Sequence, residues 1–96
     1  MDTISLVRSR KRDILRLAEA HGARNVRVFG SVARGQDSDT SDVDFLVDFE
    51  PGTSLLTHAA LTASLASLLG RQVDVAPAKN LKSGVRDRIL HEAIPL

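Results

Sequence analysis

Two strand-like runs, NVRVF at residues 25–29 and VDFLVDF at residues 43–49, are separated only by residues 30–42. This spacing constrains the fold more than any other feature. A connection so short has no room for the full crossover helix that a parallel pair needs, so the two strands are expected to run antiparallel. The next connection is different. Residues 54–69 read as a Leu- and Ala-rich helix, with Thr53 or Ser54 as its cap and Gly70 beyond its end. A third strand, QVDVA at residues 72–76, follows and stops at Pro77. Strand, helix and strand in that order favour a parallel pair with a right-handed crossover. The expected fold class is α/β (α+β), a small mixed β-sheet of three or more strands flanked by helices.

The remaining elements are helical. Residues 4–21 place Ile4, Val7, Ile14, Leu15 and Ala18 on one helix face, with Asp2 or Thr3 able to cap the start and Gly22 able to end it. Residues 83–93 read as a short helix with Val85, Ile89, Leu90 and Ala93 turned inward; an apolar face left exposed there could serve dimerisation or partner docking. With 96 residues and no repeat or linker, residues 1–96 are expected to form one domain. The chain has no cysteine, so a metal would have to sit on oxygen or imidazole. No apolar run approaches the ~20 residues of a membrane helix and no signal peptide opens the chain, so a cytoplasmic location without membrane contact is expected.

Charge is unevenly spread. Residues 1–27 carry seven basic and three acidic side chains, whereas residues 28–50 carry Arg34 against six acids. The acidic centre repels a nucleic-acid backbone unless divalent cations cover it, which argues against direct nucleic-acid binding. The basic RSRKR stretch at residues 8–12 reads as a solvated helix face before it reads as a nucleic-acid patch.

Five aspartates fall between positions 37 and 48, at the mouth of the second strand. Side chains alternate along a strand, so Asp42 and Asp44 share one face while Val43, Phe45, Val47 and Phe49 share the other. Two adjacent carboxylates repel each other unless a cation lies between them. Asp74, between Val73 and Val75, is a third acid that looks buried and has no evident ion-pair partner. With the strand directions above, Gly30-Ser31, Asp42, Asp44 and Asp74 converge at one edge of the sheet. Three carboxylates there suit Mg²⁺, which keeps waters and is completed by substrate phosphates. Two ions would clamp the entering and leaving oxygens of a phosphoryl or nucleotidyl transfer. Gly30 lets backbone approach a phosphate, and a short helix from Ser31 would aim N–H groups and a hydroxyl at it. Asp-x-Asp alone, or Gly-Ser alone, is a weak signal; their combination with a third strand-borne acid is specific. Asp37 and Asp39 read as loop formers. Asp48 and Glu50 read as surface residues, and His21, His58 and His91 as incidental. Lys79, Lys82, Arg86 and Arg88 read as a solvated helix face before they read as contacts to a triphosphate or an acidic partner.

The stretch from Phe29 to Val47 resembles the signature of nucleotidyltransferases of the DNA polymerase beta superfamily. GSVARG followed by SDVDFLV, with VDVA at residues 73–76 and the closing ILHEAIPL, resembles the minimal nucleotidyltransferase (MNT) group across nearly the whole chain. The resemblance implies catalytic and metal-ligating roles for Asp42, Asp44 and Asp74. It implies phosphate binding by Gly30 and Ser31, and a phosphate or loop-ordering contact for Arg34, for which a structural salt bridge is an equal alternative.

Proteins of the group that this chain resembles are often encoded beside a HEPN-domain protein, a helical RNase toxin. The resemblance therefore implies a Mg²⁺-dependent adenylyltransferase that moves AMP from ATP to a toxin tyrosine and so acts as an antitoxin, in a possible oligomer with the toxin. Two features agree with a target in trans. The chain is expected to lack room for a helical substrate domain, and it has no tyrosine of its own. The alternatives are a non-catalytic antitoxin that acts by occlusion, or nucleotidyl transfer to a small molecule or an RNA end.

Overall fold

The computed structural model describes residues 2–96. Two helices, α1 (Thr3–Ser9) and α2 (Lys11–Ala20), precede strand β1 (Ala23–Phe29) and the one-turn helix α3 (Gly30–Arg34). Strand β2 (Val43–Phe49), helix α4 (Leu55–Leu69) and strand β3 (Val73–Pro77) follow. A 3₁₀ turn (Ala78–Asn80), helix α5 (Ser83–Glu92) and strand β4 (Ile94–Pro95) complete the chain. The sheet order is β3-β2-β1-β4.

Strand directions are those the connection lengths require. β1 and β2 are antiparallel with Phe29 opposite Asp44, and β2 and β3 are parallel with Asp44 opposite Asp74. A bulge between Arg24 and Arg27 leaves Asn25 with a left-handed φ of 52°. β4 was not anticipated from sequence. It adds antiparallel to β1, with Ile94 opposite Val28, and Leu96 N–H donates to the Val26 carbonyl.

One side of the sheet carries the main core. Val26, Val28, Val43, Phe45 and Val47 meet Val7, Ile14 and Ala18 from the first two helices and Leu61, Leu65 and Leu69 from α4. The four-residue spacing of those leucines puts them on one stripe, and α4 is capped by Ser54, whose hydroxyl accepts from Thr57 N–H at 3.1 Å. The opposite side of β2 is also closed locally, since Leu46 is fully buried.

Two helical expectations are corrected. The single helix expected over residues 4–21 breaks at Arg10 (φ −107°, ψ 15°). No apolar residue is available at positions 10 and 11 to keep the inward stripe between Val7 and Ile14, and the Ser9 hydroxyl takes the Leu6 carbonyl at 2.7 Å. The expected cap holds, because Asp2 accepts from Ser5 N–H at 2.9 Å. In α5, Val85, Ile89, Leu90 and Ala93 were expected inward, yet no α5 residue is buried and Val85 and Leu90 are open to solvent. The cause is placement. α5 lies against α3 and β1 instead of spreading over the sheet core. Among the described residues, no helix is long and apolar enough to cross a membrane.

Candidate active site

The C-terminal end of β1 and the N-terminal ends of β2 and β3 meet at one edge, where the chain passes from Phe29 into α3. Gly30 makes that passage with φ +75°. A side chain there would be strained by the backbone, and its Cβ would collide with the Asp44 carboxylate. Glycine is thus required by the carboxylate that β2 delivers beside it. Val32 is fully buried and pins α3 to the core, while Ser31 is half-buried at its start.

The Asp44 carboxyl is pushed above its usual range. Burial is the largest cause, followed by the negative charges of Asp74 and Asp42, and the Arg34 guanidinium opposes them in part. The three acids foreseen from sequence are therefore electrostatically one cluster. Their exposures differ from expectation in one case: Asp44 is half-buried, Asp42 is exposed, and Asp74, which looked buried, is exposed. β3 is an edge strand, so Asp74 has a neighbouring strand on one side only.

None of the three takes part in an ion pair among the described residues. Nor do any three Asp, Glu or His side chains there form a ready-made ion cage. This donor set still fits Mg²⁺, which needs one or two protein carboxylates and takes its other ligands from water and substrate phosphate. A carboxylate raised first by burial and then by two like charges is an arrangement that a divalent cation relieves.

Arg34 is committed on its inner side. Its Nε donates to Gln36 Oε1 at 3.1 Å, and its Nη1 donates to both Glu92 oxygens at 3.2 Å. Glu92 Oε1 also accepts from Gly30 N–H at 3.3 Å. Of the two alternatives for Arg34, the salt bridge is present. Glu92 escaped the residue-level reading because a lone glutamate near a helix end carries no motif.

A second organiser, Arg71, was also missed. From the turn after α4 it donates to Thr3 Oγ1 (2.9 Å), the Ser38 carbonyl (3.1 Å) and the Ser41 carbonyl (2.8 Å). It ties the loop immediately before Asp42 to the start of α1. Asp37 and Asp39 lie in that loop, away from the strand ends, as expected of loop formers.

The other polar residues lie apart from this edge. Asp48, at the far end of β2, accepts from Asn25 (2.7 Å) and Arg27 (3.1 Å), and the Asn25 hydrogen bond is the main cause of its lowered pKa. His58 is not idle: its Nε2–H donates to the Val75 carbonyl at 2.6 Å and its ring tilts against Phe49. That bond bridges α4 to the edge strand. Lys79, Lys82, Arg86 and Arg88 are all exposed, as are Arg8, Arg10, Lys11 and Arg12.

Comparison with known proteins gives a consistent picture. Residues 10–96 match the pattern of the nucleotidyltransferase domain family. A Thermococcus cleftensis protein named protein adenylyltransferase MntA is 45% identical over 78 residues, covering 81% of this chain and 79% of its own length. A solved structure of a candidate minimal nucleotidyltransferase is 48% identical, covers 100% of this chain and 97% of its own, and superposes with a TM-score of 0.89. At 17% identity, a structure described as a tri-AMPylated Shewanella oneidensis HEPN toxin in complex with an MNT antitoxin shares the fold, with a TM-score of 0.70 over 92% of this chain and 69% of the other.

Proposed function

The chain belongs to the nucleotidyltransferase domain family, and from that premise we propose that it is a Mg²⁺-dependent protein adenylyltransferase. In this reading it transfers AMP from ATP to a tyrosine of a cognate HEPN-type RNase toxin and so serves as that toxin's antitoxin. The observation that carries the reading is the acid cluster: Asp44, opposed by Asp74 and Asp42 and without an ion-pair partner among the described residues, beside the Gly30-Ser31 turn. A relative at 45% identity named for protein adenylylation supports the acceptor class. None of the 96 residues is a tyrosine, so a tyrosine acceptor lies outside them.

Each residue then has a task. Ser31 meets the triphosphate with its N–H and hydroxyl at the start of α3, and Gly30 keeps that turn open. Asp42 and Asp44, with Asp74 close by, would hold the metal. When bound, Mg²⁺ neutralises phosphate charge and polarises the oxygens exchanged in the reaction. The acceptor hydroxyl oxygen forms a new bond to the α-phosphorus, the bond from that phosphorus to the bridging oxygen breaks, and pyrophosphate leaves. Asp74, exposed at the edge strand, orients the hydroxyl and takes up its proton. The chain supplies positioning and charge compensation, the two contributions that dominate phosphoryl-type transfers.

The test is intact-mass spectrometry of the HEPN-type partner incubated with this protein, ATP and Mg²⁺. AMP-sized increments that disappear with Asp42→Asn/Asp44→Asn establish the activity. A stable, inhibited complex without increments would replace it with neutralisation by occlusion. Neither complex nor increment would return the acceptor to a small molecule or an RNA end.

A further inference from the structure

Arg34 is held at two points, and the way it is held leaves one part of it available. Gln36 takes Nε, Glu92 takes Nη1 with both oxygens, and Nη2 makes no hydrogen bond among the described residues. The carboxylate is the sheltered member of the pair: the Glu92 side chain is 23% exposed and that of Arg34 46%. The guanidinium thus has Nε and Nη1 tied down and Nη2 without a partner among the described residues, on a side chain within electrostatic reach of Asp44. An ion pair this open adds little to stability, so fastening α5 is a poor reason for it. Orientation is a better one, because a planar guanidinium fixed at two of its nitrogens presents the third in a set direction.

Glu92 Oε1 also occupies the Gly30 N–H. That donor is consequently spent inside the protein, and Gly30 contributes space for Asp44 instead of a hydrogen bond to ligand. An incoming phosphate is left with the Ser31 N–H and hydroxyl and with Nη2 of Arg34.

We infer that Glu92 is a positioning residue for nucleotide binding: together with Gln36 it aims Arg34 Nη2 at the triphosphate, while its second contact holds the Gly30 turn. The inference rests on the nucleotidyltransferase reading above and adds to it a residue from the last helix. It also carries a sign. Removing Arg34 alone leaves the Glu92 charge uncompensated beside the phosphates, so removing Glu92 as well must not make matters worse.

The experiment is calorimetric titration of ATP with Mg²⁺ into the wild-type protein, Glu92→Ala, Glu92→Gln, Arg34→Ala and the Arg34→Ala/Glu92→Ala double variant, with thermal melting of each. Glu92→Ala should weaken ATP binding about tenfold, the scale seen when a residue that orients a ligand-binding group is lost. Its melting temperature should stay close to wild type. Glu92→Gln, whose amide oxygen still accepts from Gly30 and Arg34, should recover most of the affinity. The double variant should bind no more weakly than Arg34→Ala. In the transfer assay the loss should appear in KM for ATP, with kcat retained. Additive losses, a tighter-binding Glu92→Ala, or a drop in melting temperature with affinity unchanged would each overturn the proposal. Wild-type binding with every variant unaffected would overturn it alone, whereas no wild-type binding of ATP would overturn the enzymatic reading with it.

Discussion

Gly30 and Asp44 occupy one space. The Asp44 carboxylate lies where a Cβ on residue 30 would be, and Gly30 turns the chain there with φ +75°. Any side chain at position 30 must displace backbone or carboxylate. Gly30→Ala is accordingly expected to cost about 1–3 kcal/mol, the usual range for a strained left-handed residue, and to abolish nucleotidyl transfer by moving Asp44. Urea denaturation measures the first effect and the intact-mass assay the second; unchanged values of both would refute the steric account.

Asp44 should trade stability for function. Its folded pKa is raised above the usual 3.8, so the folded state holds the proton more tightly than the unfolded chain. Its favourable contribution is therefore complete below the unfolded value and is lost as pH rises through the raised folded value. Asp44→Asn should melt above wild type at pH 7 without divalent cation, and the gap should close as the pH falls below the carboxylate range. Added Mg²⁺ should raise the melting temperature of wild type and leave the variant unmoved. An Asp44→Asn protein less stable than wild type at pH 7 would contradict the repulsion argument.

Arg71 ties down the approach to Asp42. Arg71→Ala removes hydrogen bonds to Thr3 Oγ1, the Ser38 carbonyl and the Ser41 carbonyl at once. Bonds from a charged donor carry about 1.5–3 kcal/mol, and a loss in that range is expected. Amide hydrogen exchange should accelerate in residues 38–42 before it does elsewhere. Uniform acceleration across the chain would mean that Arg71 supports the whole fold and not this loop.

The two sides of α4 predict opposite outcomes. Leu61 is fully buried, and Leu61→Ala should cost about 2–5 kcal/mol through lost burial and a cavity. Leu55 is 86% exposed, and Leu55→Ser should change stability by no more than about 0.5 kcal/mol. Denaturant midpoints for the two variants suffice. A costly Leu55→Ser would show that this end of α4 is covered in solution.

Much of this arrangement was readable in the chain, and the failures share a cause. β2 lies where the alternation of VDFLVDF puts it, over Val43–Phe49, and α4 lies between its Ser54 cap and Gly70. α5 misled because amphipathic spacing says which residues share a face, not how deeply a neighbour covers them; α5 packs against α3 and β1, yet Val85 and Leu90 stay exposed. β4 is only Ile94–Pro95, too short for any periodicity to register. Asp74 seemed buried because its neighbours are valines, but alternation turns it to the face opposite theirs, where it is exposed, and at the edge of the sheet it has a neighbouring strand on one side only.

The sequence by itself determined the strand directions, the helix caps and the gathering of Asp42, Asp44 and Asp74 beside Gly30. These rest on loop length, side-chain alternation and turn chemistry, all of which act over a few residues. Only the tertiary structure decided how that edge is braced. Glu92 reaches Arg34 across 58 positions and Gly30 across 62, and Arg71 reaches Thr3 across 68. A polar contact of that reach leaves no period or spacing in the chain. It exists because the packed helices and sheet bring distant side chains within about 3 Å, the distance at which a hydrogen bond forms.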